Sequence, residues 1–186
     1  MKRSHAAIAV ALSLAVCACG EAGDADRETA GQQLADAFSP TAEAAAPAPS
    51  AQAFADAVAA NAAYEMAAAQ LAEKLSRREE VRSFAAQMIQ DHAVVADELR
   101  DALGRTHGVT AAAAMTLDQQ RTLASLRQAG AGFDAAYAKQ EIAAHEQELS
   151  ALRDYADNGM DPALSEFAAD AVNMAADHLR LARKLA

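Results

Sequence analysis

The stretch VRSFAAQMIQDHAVVADEL, Val81 to Leu99, reads as one side of a long helix. Val81, Phe84, Met88, His92, Val95 and Leu99 recur at alternating steps of three and four residues, the spacing that stacks side chains on a single helical face. The stripe is apolar except at His92, and β-branched residues are too few to favour a strand. Upstream, Ser76-Arg77-Arg78-Glu79 has the pattern of a capping box, so this helix is expected from Arg77 to about Leu103. Gly104 and Gly108 end it, with His107 in an exposed turn between them.

Working outward, the same periodicity returns three more times. Ser50, after the Pro-Ala-Pro run, is placed to cap a helix from Ala51 to about Leu75. Its face is Phe54, Val58, Asn61, Glu65, Ala68 and Ala72, widened by Tyr64, Leu71 and Leu75. Residues 111–114 are alanines in a predicted loop. Thr116 with Gln119 forms a second capping-box pattern that opens a short helix through Leu117, Leu123 and Leu126. Gly130 and Gly132 interrupt, and a long helix follows from Phe133 to about Ala156. It carries Phe133, Tyr137, Glu141, His145, Leu149 and Leu152, with Ile142 beside them. Asp161-Pro162 is a helix start, the acid as cap and the proline in the first turn. The last helix, 162–185, carries Leu164, Phe167, Ala171, Met174, His178, Leu181 and Leu185. The predicted fold is all-α: a four-helix bundle with a short extra helix in the crossover between its second and third helices.

Composition agrees. Of the 186 residues 53% are hydrophobic, only 4% are aromatic and none is Trp. Alanine, the best helix former, is abundant. The formal charge is −10, from 16 basic and 26 acidic residues. That excludes nucleic acid as an expected partner, since phosphate contacts require clustered Lys and Arg. It also disfavours electrostatic adhesion to anionic lipid.

The N-terminal fifty residues are organised differently. Residues 1–18 read as a secretory leader: Lys2 and Arg3, an apolar run from Ala6 to Val16, then small residues. Val16-Cys17-Ala18-Cys19 is similar to a bacterial lipobox, which makes Cys19 the expected lipidation site and Cys17 the alternative. Residues 19–50 form an acidic Ala/Pro spacer. The folded domain is expected at 51–186, without a free thiol or a disulfide. The expected location is the periplasmic side of the envelope, on an N-terminal lipid, at the outer rather than the inner membrane.

Three histidines, His92, His145 and His178, lie on the apolar faces of three different long helices. Glu65 on the first helix and Glu141 on the third share those faces. Imidazole with carboxylate suits iron, zinc, manganese or copper. The other reading is a buried polar network whose members satisfy one another. Asp91 and Asp177 each precede a histidine. Neighbours on a helix point about 100° apart, so each Asp is placed to hold the ring of a histidine on an adjacent helix. Met88-Ile89-Gln90-Asp91-His92 and Met174-Ala175-Ala176-Asp177-His178 echo one another, which suggests a duplicated helix pair.

These segments carry a resemblance. Glu65, the run Phe84 to His92, Phe133-Asp134-Ala135-Ala136-Tyr137 with Gln140 and His145-Glu146, and His178 together resemble a bacterial family of exported or predicted outer membrane proteins of unknown function, domain of unknown function 4142. The resemblance covers about residues 54–183 and implies a ferritin-like fold. Within that fold group, di-iron carboxylate proteins carry a Glu-x-x-His pair on each of two helices. Here Ile89, Ile142 and Ala175 stand three residues before the bundle histidines, so a standard di-iron centre is not expected. Nor is there a phosphate loop, a zinc-protease helix motif or a c-type haem motif.

The sequence therefore reads first as an anchored helical-bundle envelope protein with a structural, interaction or stress-related role, no assigned enzymatic activity and another envelope protein as its candidate partner. Its alternative is a transition-metal site built from Glu65, His92, Glu141, His145 and His178.

Overall fold

The computed structural model describes residues 48–186. The leader, Cys17, Cys19 and nearly all of the acidic spacer lie outside the described residues. Five α-helices follow in order: α1 (Ala51–Leu75), α2 (Glu79–Gly104), α3 (Leu117–Gln128), α4 (Phe133–Asn158) and α5 (Pro162–Ala182), with a 3-10 turn at Gly130–Gly132. The four long helices form the bundle and α3 lies in the crossover, a ferritin-like arrangement, as the sequence predicts.

The local signals mostly act as read. The Ser50 hydroxyl accepts from Ala53 N–H, Thr116 and Gln119 form a complete capping box, and Asp161 accepts from Leu164 N–H with Pro162 behind it. One signal is misread. Ser76 does not cap α2: its N–H donates to Ala72 O and closes α1, while its hydroxyl accepts from Arg78 N–H at 3.1 Å. The Glu79 carboxylate pairs with Arg82 instead of returning to the cap. The helix accordingly begins two residues later than predicted. Leu75 and Leu117 are exposed rather than packed, because Leu75 is the last residue of α1 and Leu117 the first of α3. The last helix ends at Ala182 and passes into a turn, although Leu185 still packs into the core.

α1 pairs with α2 and α4 with α5, and the two hairpins meet through α1 against α4 and α2 against α5. The core is divided in two along the bundle. One apolar layer holds Phe54, Val58, Val95, Leu99, Leu152, Leu164 and Phe167. The other holds Ala68, Ala72, Val81, Phe84, Met88, Phe133 and Tyr137. The first layer takes the start of α1, the end of α2, the end of α4 and the start of α5. Neighbouring helices are therefore antiparallel, and α2 and α4 run the same way. Joining two parallel helices requires a connection as long as the bundle, and residues 105–132 provide it. Gln52 Oε1 accepts from Thr110 N–H and Asp56 Oδ1 from Ala112 N–H, tying this connection to α1.

Alanines 55, 68, 69, 72, 85, 102, 138, 168 and 182 are fully buried along the seams and bring little apolar area. The buried aromatic, leucine, valine and methionine side chains supply most of it, at about 25 cal/mol per Å² removed from water. Phe54 stacks on Tyr155 in one layer, with Phe167 edge-on. Tyr137 stacks on Phe133 and meets Phe84 edge-on in the other. Between the layers lies a belt of buried polar side chains.

Candidate metal centre

All five residues singled out by sequence pattern converge in that belt. Glu65, His92, Glu141 and His145 are fully buried and His178 is 1% exposed. They arrive from all four long helices because each occupies one turn of an otherwise apolar stripe. Two groups form and share a member. His92, His145 and His178 offer one ligand atom each, all within 4.8 Å of one another; Glu65, Glu141 and His145 do the same.

The three imidazole centroids are 5.9, 5.6 and 5.3 Å apart. An ion bound at about 2.0–2.1 Å from each of three imidazole nitrogens sets ring centroids roughly 5 to 5.5 Å apart. The rings are therefore nearly at the separation a shared ion demands.

Hydrogen bonds fix which nitrogens are free. His145 Nδ1 lies 2.8 Å from Glu141 O, a carbonyl, so Nδ1 carries the proton and donates. Its Nε2 is left with a lone pair and no partner in the protein. His178 Nε2 lies 2.8 Å from Asp91 Oδ2, which puts the proton on Nε2 and leaves Nδ1 free. Asp91 thus holds the ring of a histidine on the adjacent helix, as its position predicts. Asp177, its counterpart in the sequence echo, does not: it is exposed and pairs with Arg180. The duplicated motif is used asymmetrically. Neither nitrogen of His92 has a protein partner.

The carboxyls form a second closed group. The Glu65 and Glu141 carboxyls and the Tyr137 hydroxyl lie together, buried, with no hydrogen-bond partner outside their own group. The imidazoles are only half paired: one nitrogen of His145, one of His178 and both of His92 have no partner among the described residues. An unpaired buried polar group costs about 1–3 kcal/mol, and the belt concentrates several.

Burial dominates the electrostatics. Desolvation, with lesser repulsion from His145 and His178, pushes His92 down to about 3. Burial likewise lowers His145 to about 4. Both are neutral, the form that binds metal. Desolvation raises Glu141 to about 8 against neighbouring donors that would lower it. Glu65 is raised well above the usual carboxylate range by burial and by the Glu141 charge. Each carboxyl holds a proton that a cation can displace.

One residue escaped the sequence reading. Glu148 is the next turn after Glu141 and His145 on α4, and its Oε2 lies 3.9 Å from His145 Nε2. The three-residue step from His145 to Glu148 was the available signal. Of the other candidates, Met88 is buried in an apolar layer, Met174 is partly exposed and His107 is exposed.

The family's profile matches residues 36–185, most of the chain. The chain belongs to DUF4142, a domain of unknown function. The DUF4142 match begins upstream of α1, at residue 36. No curated protein and no solved structure is significantly similar to the chain. The chemistry of this DUF4142 domain must be read from its own residues. No helix among the described residues is long and apolar enough to cross a membrane.

Proposed function

We propose that the domain binds a transition-metal ion at His92, His145 and His178, with Glu65 and Glu141 supplying carboxylate. One observation carries this: three fully buried imidazoles from three helices converge with nitrogens that nothing in the protein satisfies. Three imidazoles with carboxylate suit iron, zinc, manganese or copper. The proposal is for metal binding and not for di-iron oxygen chemistry. Ile89 and Ala175 stand where that chemistry needs carboxylates.

The test is elemental analysis of the full chain, prepared without a histidine tag and reloaded with each metal in turn. About one equivalent per chain is expected for a single site, lost in His145→Ala. A metal content at background in the reloaded wild type would overturn the reading.

We further propose that the domain is carried on a lipid at Cys19, with Cys17 the alternative, on the periplasmic side of the outer membrane, where another envelope protein is its candidate partner. The support is the sequence of residues 1–50. Radiolabelled fatty acid should label the wild-type chain in its host and not Cys19→Ala. Equal labelling of both would move the site or remove it.

A further inference from the structure

A groove of about 510 Å³ opens between α1 and α4, with the first turns of α3 along one side. Its wall includes Asn61, Tyr64, Gln140, Gln147 and Glu148. Among the described residues no basic side chain lines it. Its amide and carboxylate oxygens are ligands for a cation, and Lys or Arg would repel one.

Glu148 joins the groove to the belt. It lines the groove, its side chain is 9% exposed, and Oε2 is buried without a hydrogen-bond partner. That same oxygen is 3.9 Å from His145 Nε2, the nitrogen that the bond to Glu141 O leaves free to bind. Asn61, on the groove wall opposite, lies beside the Glu148 carboxyl. Glu148 does not belong to either group of mutually close ligand atoms. Among the proposed ligands it comes within 4 Å of His145, the member the two groups share. A carboxylate so placed is within reach of an ion in the groove and one step from the histidines.

We propose that the groove between α1 and α4 is the route by which the metal ion reaches the centre, and that Glu148, beside Asn61, is a transit ligand that takes a divalent cation from the groove and passes it to His145. The inference rests on the metal-binding reading above.

The experiment follows cobalt(II) loading of the full, tag-free chain by stopped-flow absorbance in the visible. It compares wild type with Glu148→Gln, with Ala143→Phe, which places a ring on the exposed groove wall, and with Ala93→Phe on an exposed position of α2 as control. Glu148→Gln and Ala143→Phe should load about tenfold or more slowly, the scale on which local charge and access alter cation on-rates. Both should reach the wild-type end-point spectrum, and Ala93→Phe should load at the wild-type rate. Wild-type rates in Glu148→Gln and Ala143→Phe would overturn the route while leaving the metal centre standing. A changed end-point spectrum in Glu148→Gln would make Glu148 a resident ligand and overturn its transit role. No cobalt spectrum in wild type would overturn the metal centre itself and the route with it.

Discussion

At the scale of single residues, the centre depends on how its rings are held. His178 presents Nδ1 to the belt because Asp91 accepts from Nε2. Removing such a partner from a metal-bound histidine lowers affinity by about 10–100-fold. Asp91→Ala should show that loss in a competitive chelator titration, with helicity unchanged. Asp177→Ala, which alters the corresponding position of the echoed motif, should bind like wild type, since Asp177 faces Arg180 at the surface. Equal affinities for wild type and Asp91→Ala would show that the Asp91 contact does not orient the ligand. The histidines and the two carboxylates were legible in the sequence because each interrupts an apolar stripe at helical spacing. Asp91 was legible as the off-face neighbour. Glu148 was missed because it sits at the margin of the α4 face. Spacing along one helix does not reveal that a groove on the neighbouring helix leads to it.

At the scale of elements, the turn between α4 and α5 is tightly determined. Gly159 ends α4 with its N–H on Tyr155 O at 2.8 Å. A Cβ there would lie 2.5 Å from that carbonyl oxygen and as close to the Tyr155 ring. Since Tyr155 stacks on Phe54, the ring cannot yield without opening the apolar layer. Gly159→Ala should destabilise by about 1–3 kcal/mol, the usual cost of overpacking, read from urea unfolding. A stability equal to wild type would mean that the turn relaxes freely. The helix starts at Ser50, Thr116 and Asp161 were readable because each cap is local chemistry. The Ser76 pattern failed because the same hydroxyl can serve the end of one helix or the start of the next. Arg78 stands in the cap position instead, and its N–H donates to the serine hydroxyl. Here Ser76 closes α1, a choice the four-residue pattern does not contain. The long parallel connection from α2 to α4 was legible only as a length with a short helix inside it. Its path along α1 follows from the pairing of Gln52 and Asp56 with Thr110 and Ala112.

At the scale of the whole molecule, a polar belt buried across a bundle links stability to protons and to metal together. His92 and His145 are lowered to about 3 and 4 in the fold, against about 6.5 in the unfolded chain. Their contribution is full above pH 6.5 and is lost as pH falls toward their folded values, because the unfolded state binds the protons first. Glu141 and Glu148 are raised to about 8 and about 7, chiefly by burial, against about 4.3 when unfolded. Their contribution is full at pH 4 and is lost as pH rises through the folded values, because the native state holds the protons longer. For the metal-free protein the two slopes oppose one another between about pH 4.3 and 6.5. Above that window only the carboxyls titrate, so thermal stability should decline toward pH 8. The ion changes the sign. Binding needs neutral imidazoles and ionised Glu65 and Glu141, and releases the protons those two carboxyls carry. A cation that takes the place of those protons also removes the penalty of a buried, unpaired anion. The difference in Tm between metal-loaded and chelator-treated protein should therefore widen from pH 6 to pH 8 at fixed free metal. Calorimetry of both forms across that range decides it. A gap that stays constant or narrows as the carboxyls ionise would mean that the buried glutamates do not contribute to the bound state, and would confine the centre to its three histidines.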